Sequence, residues 1–181
     1  MALWHWGDNG DTKAYVLADS KQKTGLVMFA NSANGLTIIN ELVGNVMGND
    51  HPSLAWLNLE RYNSQPRLML KAILKSDAET VLADYRQRRG QAENKLSLTE
   101  NEMNRLGYQL LRLKRIKDAI AVFTQNTVDF PQAYNTWDSL AEGYMIDGDK
   151  ESAIKYYKKS LELNADNTNA VQKLKELGTG N

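Results

Sequence analysis

The chain has 181 residues, enough for one domain or two small ones, and 42% of them are apolar. Its 22 basic and 22 acidic residues leave no net charge. This balance argues against a general nucleic-acid-binding protein, because such domains carry a basic excess. The chain has no cysteine, which excludes disulfides and thiolate metal sites, and its two histidines, His5 and His51, are far apart. We therefore expect no metal and no cofactor.

No apolar run approaches the length that a membrane span needs. The N-terminus has neither the basic start nor the apolar segment of a signal peptide. The sequence by itself therefore assigns no compartment to the chain.

The first 48 residues predict three strands followed by a helix. The strands are expected at residues 3–7, 12–18 and 24–30, separated by an Asn-Gly turn and a polar loop. Because the middle of the third strand is fully apolar, we expect it to be the central strand. Apolar residues then recur at helical spacing from Leu36 to Val46, and Gly48 ends the helix. The predicted unit is an antiparallel meander with one helix across a face.

This segment also carries a recognisable order of short motifs. His5-Trp6-Gly7 is followed by the turn at Gly10, a strand pair and the stretch from Phe29 to Gly35. The order resembles the C-terminal end of the serine β-lactamase and penicillin-binding-protein fold, over about residues 1–50. The resemblance implies a cleft-lining motif on the first strand. Its residues would be His5, Trp6, Gly7 and Asp8.

The same family needs a Ser-x-x-Lys nucleophile motif, which this chain lacks in a credible form. Two serines have a lysine three positions on: Ser20 with Lys23, in a polar loop, and Ser152 with Lys155, in a predicted repeat helix. Both pairs come after the cleft motif, in the wrong order for the family. We therefore expect this chain by itself not to be an enzyme, because serine activation needs an adjacent base and an oxyanion hole. The resemblance implies that a full-length parent would be a serine hydrolase (esterase, peptidase or β-lactamase), with an envelope or periplasmic location.

Two further hypotheses stay open for this segment. His5 could be an ordinary strand histidine that packs beside Trp4 and Trp6. The chain could also be a subunit that supplies edge strands to a separate hydrolase, and its unpaired sheet edge could lead to self-association.

Residues 51–66 are predicted to be a linker, in which Leu54, Trp56, Leu57 and Leu59 could form a short helix or an extended segment that packs back on the first unit. Residues 67–98 are predicted to be a helical pair that does not match the repeat described below. Its first helix is expected at 67–75. Ser76 and Glu79 form a capping box for the second, which is expected to run to Arg89-Gly90. We interpret this pair as a cap on the helical array that follows.

From residue 99 the sequence repeats itself with a period of 34. Helices are expected at 100–113, 116–129, 132–147 and 150–164, with a capping box at Thr99 and Glu102, and Asp166 capping a last helix. Large apolar residues and alanines coincide between the two copies: Met103 with Trp137, Leu106 with Leu140, Leu110 with Tyr144, Ala119 with Ala153, and Phe123 with Tyr157. The pattern resembles the tetratricopeptide repeat, with two repeats and a terminal helix in residues 99–181. We expect Trp137 to lie between the repeats.

The overall prediction is an α+β fold that is mostly α. The repeat resemblance implies a concave groove for a protein or peptide segment, lined by the first helix of each repeat. The groove residues would be Asn101, Asn104, Tyr108, Arg112, Asn135, Asp138 and Glu142. We therefore predict a protein-interaction scaffold that binds no nucleic acid. The alternatives are a solvated face that binds nothing specific, or one that packs against the missing hydrolase part.

Overall fold

The computed structural model of the chain describes residues 2–48, 51–57, 59–89, 91 and 97–178. These residues are mostly helical and include a small antiparallel sheet, so the predicted α+β, mostly α fold is confirmed. The chain divides into two compact units, Met1–Ser64 and Gln65–Asn181.

The first unit is built on strands β1 (Ala2–Asn9), β2 (Thr12–Asp19) and β3 (Thr24–Ala30), which confirms the three predicted strands. Their order in the sheet is β1-β2-β3, all antiparallel. The prediction that the third strand is central is therefore wrong, since β2 takes that place. The apolar run of β3 has another cause: Leu26 and Met28 pack on the core, whereas Val27 and Phe29 face outwards and are exposed.

One face of the sheet is covered by a 3-10 turn, Gly35–Ile38, and helix α1 (Ile39–Met47). Gly48 follows α1 with a φ of 90°, as expected for a residue that ends a helix. A side chain at Gly35 would lie 2.5 Å from the Ala30 Cβ, which explains the glycine where the turn meets β3. The buried core of this unit consists of Tyr15, Leu17, Leu36, Ile39 and Val43.

Residues 51–66, predicted as a linker, contain helix α2 (Pro52–Leu57), and Leu54 packs against the core of the first unit. A buried chain of polar groups holds the helix to β2. The Tyr15 hydroxyl lies 2.5 Å from the Ser53 Oγ, which lies 2.6 Å from the His51 Nδ1. Burial raises the pKa of Tyr15, so this phenol stays protonated and can donate in the chain.

The second unit is an array of helices connected in antiparallel hairpins. Its repeat helices begin and end within two residues of the predicted positions. The helices are α3 (Gln65–Lys75), α4 (Ala78–Arg89), α5 (Glu100–Arg112), α6 (Ile116–Asp129), α7 (Tyr134–Asp147), α8 (Lys150–Leu163) and α9 (Thr168–Glu176).

The helix ends agree with the sequence at two junctions. Thr99 and Glu102 form the predicted capping box at the start of α5. Gly148, with a φ of 87°, ends α7, and the Asp149 carboxylate caps α8 by accepting from the Ser152 backbone N–H at 3.0 Å.

At two other junctions the predicted cap is wrong by one residue. Helix α4 is capped by Asp77, which accepts from the Thr80 N–H at 2.8 Å, whereas the Ser76 hydroxyl donates back to the Ala72 carbonyl. Helix α9 is capped by Asn167 instead of Asp166. Both errors have one cause, because neighbouring polar residues compete for the same free N–H groups. Gly90, the predicted end of α4, lies outside the described residues.

The α3–α4 pair continues the packing of the repeats even though its sequence does not match theirs. Helix α3 lies against α5, and α4 against α6, so first helix packs on first helix and second on second. Met69, Ile73, Leu82 and Tyr85 join the core formed by the first repeat. Tyr85, whose bulk disagrees with the repeat pattern, is accommodated because its hydroxyl donates to Asp129 at 2.7 Å.

Trp137 is half-buried, and its ring stacks on Tyr156 of α8, with centroids 5.9 Å apart, while its indole N–H donates to the Pro131 carbonyl. Trp137 also packs against the core cluster that contains the first repeat, so it lies between the repeats as expected, although its ring is not fully buried. We predict that Trp137→Ala lowers the free energy of unfolding by about 2 kcal/mol, below the 3–5 kcal/mol usual for a fully buried aromatic. Urea denaturation followed by helical circular dichroism checks the value, and a loss above about 4 kcal/mol would contradict it.

Candidate functional site

The first helices of the two repeats, α5 and α7, run side by side in parallel. The Asn135 side-chain amide donates to Glu100 at 2.8 Å, and the Tyr108 hydroxyl donates to Glu142 at 2.7 Å. The second bond joins residues 34 positions apart, which is the repeat period, and the first joins residues 35 positions apart, one more than the period. The periodicity that predicts the hairpins therefore also sets the register between their first helices.

Tyr108 is at the centre of this surface. Its ring packs edge-on against Phe123 with centroids 5.3 Å apart, which fixes the direction of the hydroxyl. The hydroxyl also lies 3.3 Å from the Ser139 Oγ. Burial raises the pKa of Tyr108, so it stays a neutral donor to Glu142.

Asp138 joins α7 to the terminal helix α9. It is only 7% exposed, and its two carboxylate oxygens accept from Asn167 at 2.7 Å and Asn169 at 2.8 Å. Burial raises the pKa of Asp138, although the two amide bonds oppose this shift. The stability that this group contributes is therefore complete below the ordinary pKa of an aspartate and is lost as pH rises through its raised pKa.

The other predicted groove residues are not part of these bonds. Asn101 and Arg112 are both exposed. The Asn104 Oδ1 is buried and has no hydrogen-bond partner in the part of the chain that the structure describes. Four of the predicted residues thus make hydrogen bonds between helices: Tyr108, Asn135, Asp138 and Glu142.

The predicted groove set leaves out the partners in these bonds: Glu100, Ser139, Asn167 and Asn169. Glu100 could have been found, because Asn135 follows it by one repeat period plus one residue. Asn167 was harder to find, since it both caps α9 and donates to Asp138, and neither role has a distinctive sequence pattern.

The four residues of the predicted cleft motif do not share a surface. Successive residues of a strand point to opposite faces, so His5 and Gly7 lie on the uncovered face, whereas Trp6 lies on the covered one. The alternative that His5 packs beside Trp4 and Trp6 is wrong for the same reason. Asp8 forms an ion pair with Lys13, whose hydrogen bond lowers the pKa of that carboxyl.

Within the described residues, no helix is long and apolar enough to cross a membrane. The same residues contain no group of three or more histidine, aspartate or glutamate side chains placed to hold a metal ion.

No protein-family model matches the chain, and no curated protein matches it either. Solved structures to which the chain is similar include three of MamA. A MamA mutant shares 13% identity over 62% of this chain and 82% of its own, with a TM-score of 0.45. A crystal structure of MamA shares 17% sequence identity over 65% of this chain and 67% of its own, with a TM-score of 0.42. MamA from residue 41 to its end, from Desulfovibrio magneticus RS-1, shares 18% sequence identity over 77% of this chain and 80% of its own, with a TM-score of 0.44.

TM-scores below 0.5 and such low identities are too weak to carry an argument about function. The helical-repeat fold of the second unit therefore rests on its own hairpins and their 34-residue register. None of the three similarities supports the hydrolase resemblance of the first unit.

Proposed function

We propose that the chain is a protein-interaction module of the tetratricopeptide type, and that the first helices of its array bind an extended polypeptide segment. The observation that carries this proposal is the register between α5 and α7, which aligns their polar residues along one surface. Side-chain amides and carboxylates on such a surface can bond the N–H and C=O groups of an extended backbone.

The fixed positions of the polar side chains on this surface also support the proposal. Tyr108, Glu142 and Asp138 are held by bonds to neighbouring helices, so a ligand would lose little of its binding energy to ordering them. Asn101 is exposed, which leaves its amide accessible to a partner. In this proposal the chain acts by binding and not by catalysis.

The proposal predicts that a displayed library of short peptides yields binders that depend on Glu142. Glu142→Gln is expected to weaken binding at least tenfold, because it removes the charge of an acceptor in the centre of the surface. Glu162→Gln on α8 is the matched control, since this exposed glutamate belongs to a second helix, and binding should stay within twofold. Calorimetry on selected peptides measures both. Equal losses in the two variants, or binders unaffected by either, would contradict the proposal.

The second candidate function is that the first unit is part of a β-lactamase-like serine hydrolase whose nucleophile lies outside this chain. What favours it is the uncovered sheet face with His5 on its edge strand, since a small sheet usually needs cover on both faces when both are apolar. The chain alone should then give no burst of product from a chromogenic β-lactam or a short-chain ester. A stoichiometric burst that a serine-directed inhibitor abolishes would show instead that the chain itself is a hydrolase.

A further inference from the structure

The face of the sheet opposite α1 is apolar and uncovered. The strand register places nine residues there in three rows across the sheet. We call this surface the open face: Leu3, Ala18 and Gly25 form its first row, His5, Val16 and Val27 its second, and Gly7, Ala14 and Phe29 its third. None of these side chains is an acid, a lysine or an arginine. Leu3, Val27 and Phe29 are 64%, 63% and 79% exposed, which is unusual for residues of their size.

The large and small residues of the open face alternate at its corners. Leu3 and Phe29 occupy two diagonally opposite corners, and Gly7 and Gly25 occupy the other two. The Gly25 corner opens into a hollow of about 400 Å³, lined by Leu3 and Ala18 of the open face and by Asp19, Ser20, Lys23 and Thr24 beside it. The surface therefore carries both projections and depressions.

The glycine at position 7 has no explanation within the unit. Its backbone is not left-handed, and an added Cβ would meet only the Ala14 Cβ, at an ordinary 3.7 Å. Glycine inside a strand costs stability, and it is common where another backbone or molecule approaches closely. This observation is independent of the exposed apolar side chains, and it indicates that something packs against the Gly7 corner.

We propose that the open face binds the open face of a second copy of this chain, as a two-fold symmetric dimer. A two-fold axis in the interface along β2 lays Phe29 over the partner's Gly7 and Leu3 over the partner's Gly25. If the axis instead runs across the strands, Phe29 lies over the partner's Gly25 and Leu3 over the partner's Gly7. Each large residue then still faces a glycine. A symmetric interface needs a surface that complements itself, and this diagonal arrangement has that property. The absence of charge removes the repulsion that like surfaces otherwise suffer.

The size of the open face sets the strength of the dimer. Strand spacing and rise give an area of roughly 14 by 23 Å, or about 330 Å² for each copy. The total of about 650 Å² is below the 1,200–2,000 Å² that stable interfaces bury, so the dimer is weak, with a Kd on the order of 10⁻⁴ M. Because the contact is apolar, its Kd should change little between low and physiological salt.

Sedimentation equilibrium of the full chain, from roughly 10 µM to 1 mM to bracket that Kd, tests the proposal. Val27→Lys places a charge in the centre of the open face, and Gly7→Val fills the depression that Phe29 would enter. Each is expected to raise the Kd at least tenfold. Val128→Lys on α6 is the matched control, since Val128 is 67% exposed and lies outside the open face, and it should leave the Kd unchanged.

Two results would overturn the proposal. One is a chain that stays monomeric to the highest concentration. The other is self-association that neither Val27→Lys nor Gly7→Val weakens, which would place the contact elsewhere, such as the strand edges of β1 and β3. Circular dichroism verifies that each variant is folded, and Gly7→Val carries the test if Val27→Lys unfolds the sheet, because the backbone and space at Gly7 accept a side chain.

Discussion

Gly107→Ala is expected to lower the free energy of unfolding of the helical array by about 3 kcal/mol, at the upper end of the usual cost of overpacking a core. An added Cβ would lie 2.2 Å from the Cε1 of Phe123, and Phe123 is fully buried. The ring cannot move away without displacing its neighbours, because protein cores are close-packed. Urea denaturation followed by helical circular dichroism measures the loss.

The chain offers both a control and a rescue for this prediction. A Cβ at Gly143 would lie 3.2 Å from Ile120 and 3.3 Å from Phe123, so Gly143→Ala should change stability by no more than about 1 kcal/mol, with the gain in helix propensity offsetting the tighter contact. Phe123→Leu shortens the obstructing side chain. The double variant with Gly107→Ala should therefore lose at least about 1 kcal/mol less than the sum of its single variants. Additive losses would mean that Gly107 and Phe123 do not meet.

Asp129→Ala is expected to cost about 2–3 kcal/mol, because it leaves several donors without their buried acceptor. The carboxylate is 2% exposed and accepts from Tyr85 at 2.7 Å and Gln125 at 2.8 Å, and it forms an ion pair with Arg89. We place the cost below that of a fully buried pair because Arg89 is 34% exposed and keeps part of its hydration.

The neighbouring pair of Arg88 and Asp84 is the control for this measurement. These side chains are 43% and 58% exposed, four residues apart on α4. Asp84→Ala should therefore cost less than about 0.5 kcal/mol. The loss of unfolding free energy in Tyr85→Phe should lie between those of Asp129→Ala and Asp84→Ala, at about 1 kcal/mol, since this change removes one hydrogen bond to Asp129. Equal losses of stability in Asp129→Ala and Asp84→Ala would contradict the role of Asp129 as a buried acceptor that holds α4 to α6.

The repeat helices were predictable from the sequence because one period recurs in several kinds of residue. Alanine at 119 and 153 marks the close approach within each hairpin, and both are fully buried. The α3–α4 pair was only partly predictable. It packs like a repeat, but Tyr85 stands where the pattern requires a small residue and is accommodated by a polar contact with Asp129 across 44 positions. Contacts over that distance leave no local signal.

The position of β3 illustrates a different limit. An apolar run is typical of a central strand, and Thr24–Ala30 has that composition. It is nevertheless an edge strand in the order β1-β2-β3, and the outward half of its apolar residues lies on the open face. Sequence composition reports that a residue favours burial, and it does not report whether the covering surface belongs to the same chain.

The groove residues were predictable as positions on helices, but not as a network. Helical spacing places Asn101, Tyr108 and Arg112 on the first helix of a repeat, and the structure joins only Tyr108 of these three to the neighbouring helix through Glu142. The difference arises because reach across two helices depends on rotamers and on side-chain length, which a linear pattern does not specify.

The proposal that the first-helix surface binds a polypeptide segment is tested most directly by amide chemical-shift mapping. The ¹⁵N-labelled chain is titrated with a peptide selected by display, at a concentration well below the dimer Kd. We predict that the largest shifts fall on α5, α7 and the start of α9, around Tyr108, Asp138 and Glu142. Largest shifts on the second helices α6 and α8, or in residues 2–48, would contradict the proposal.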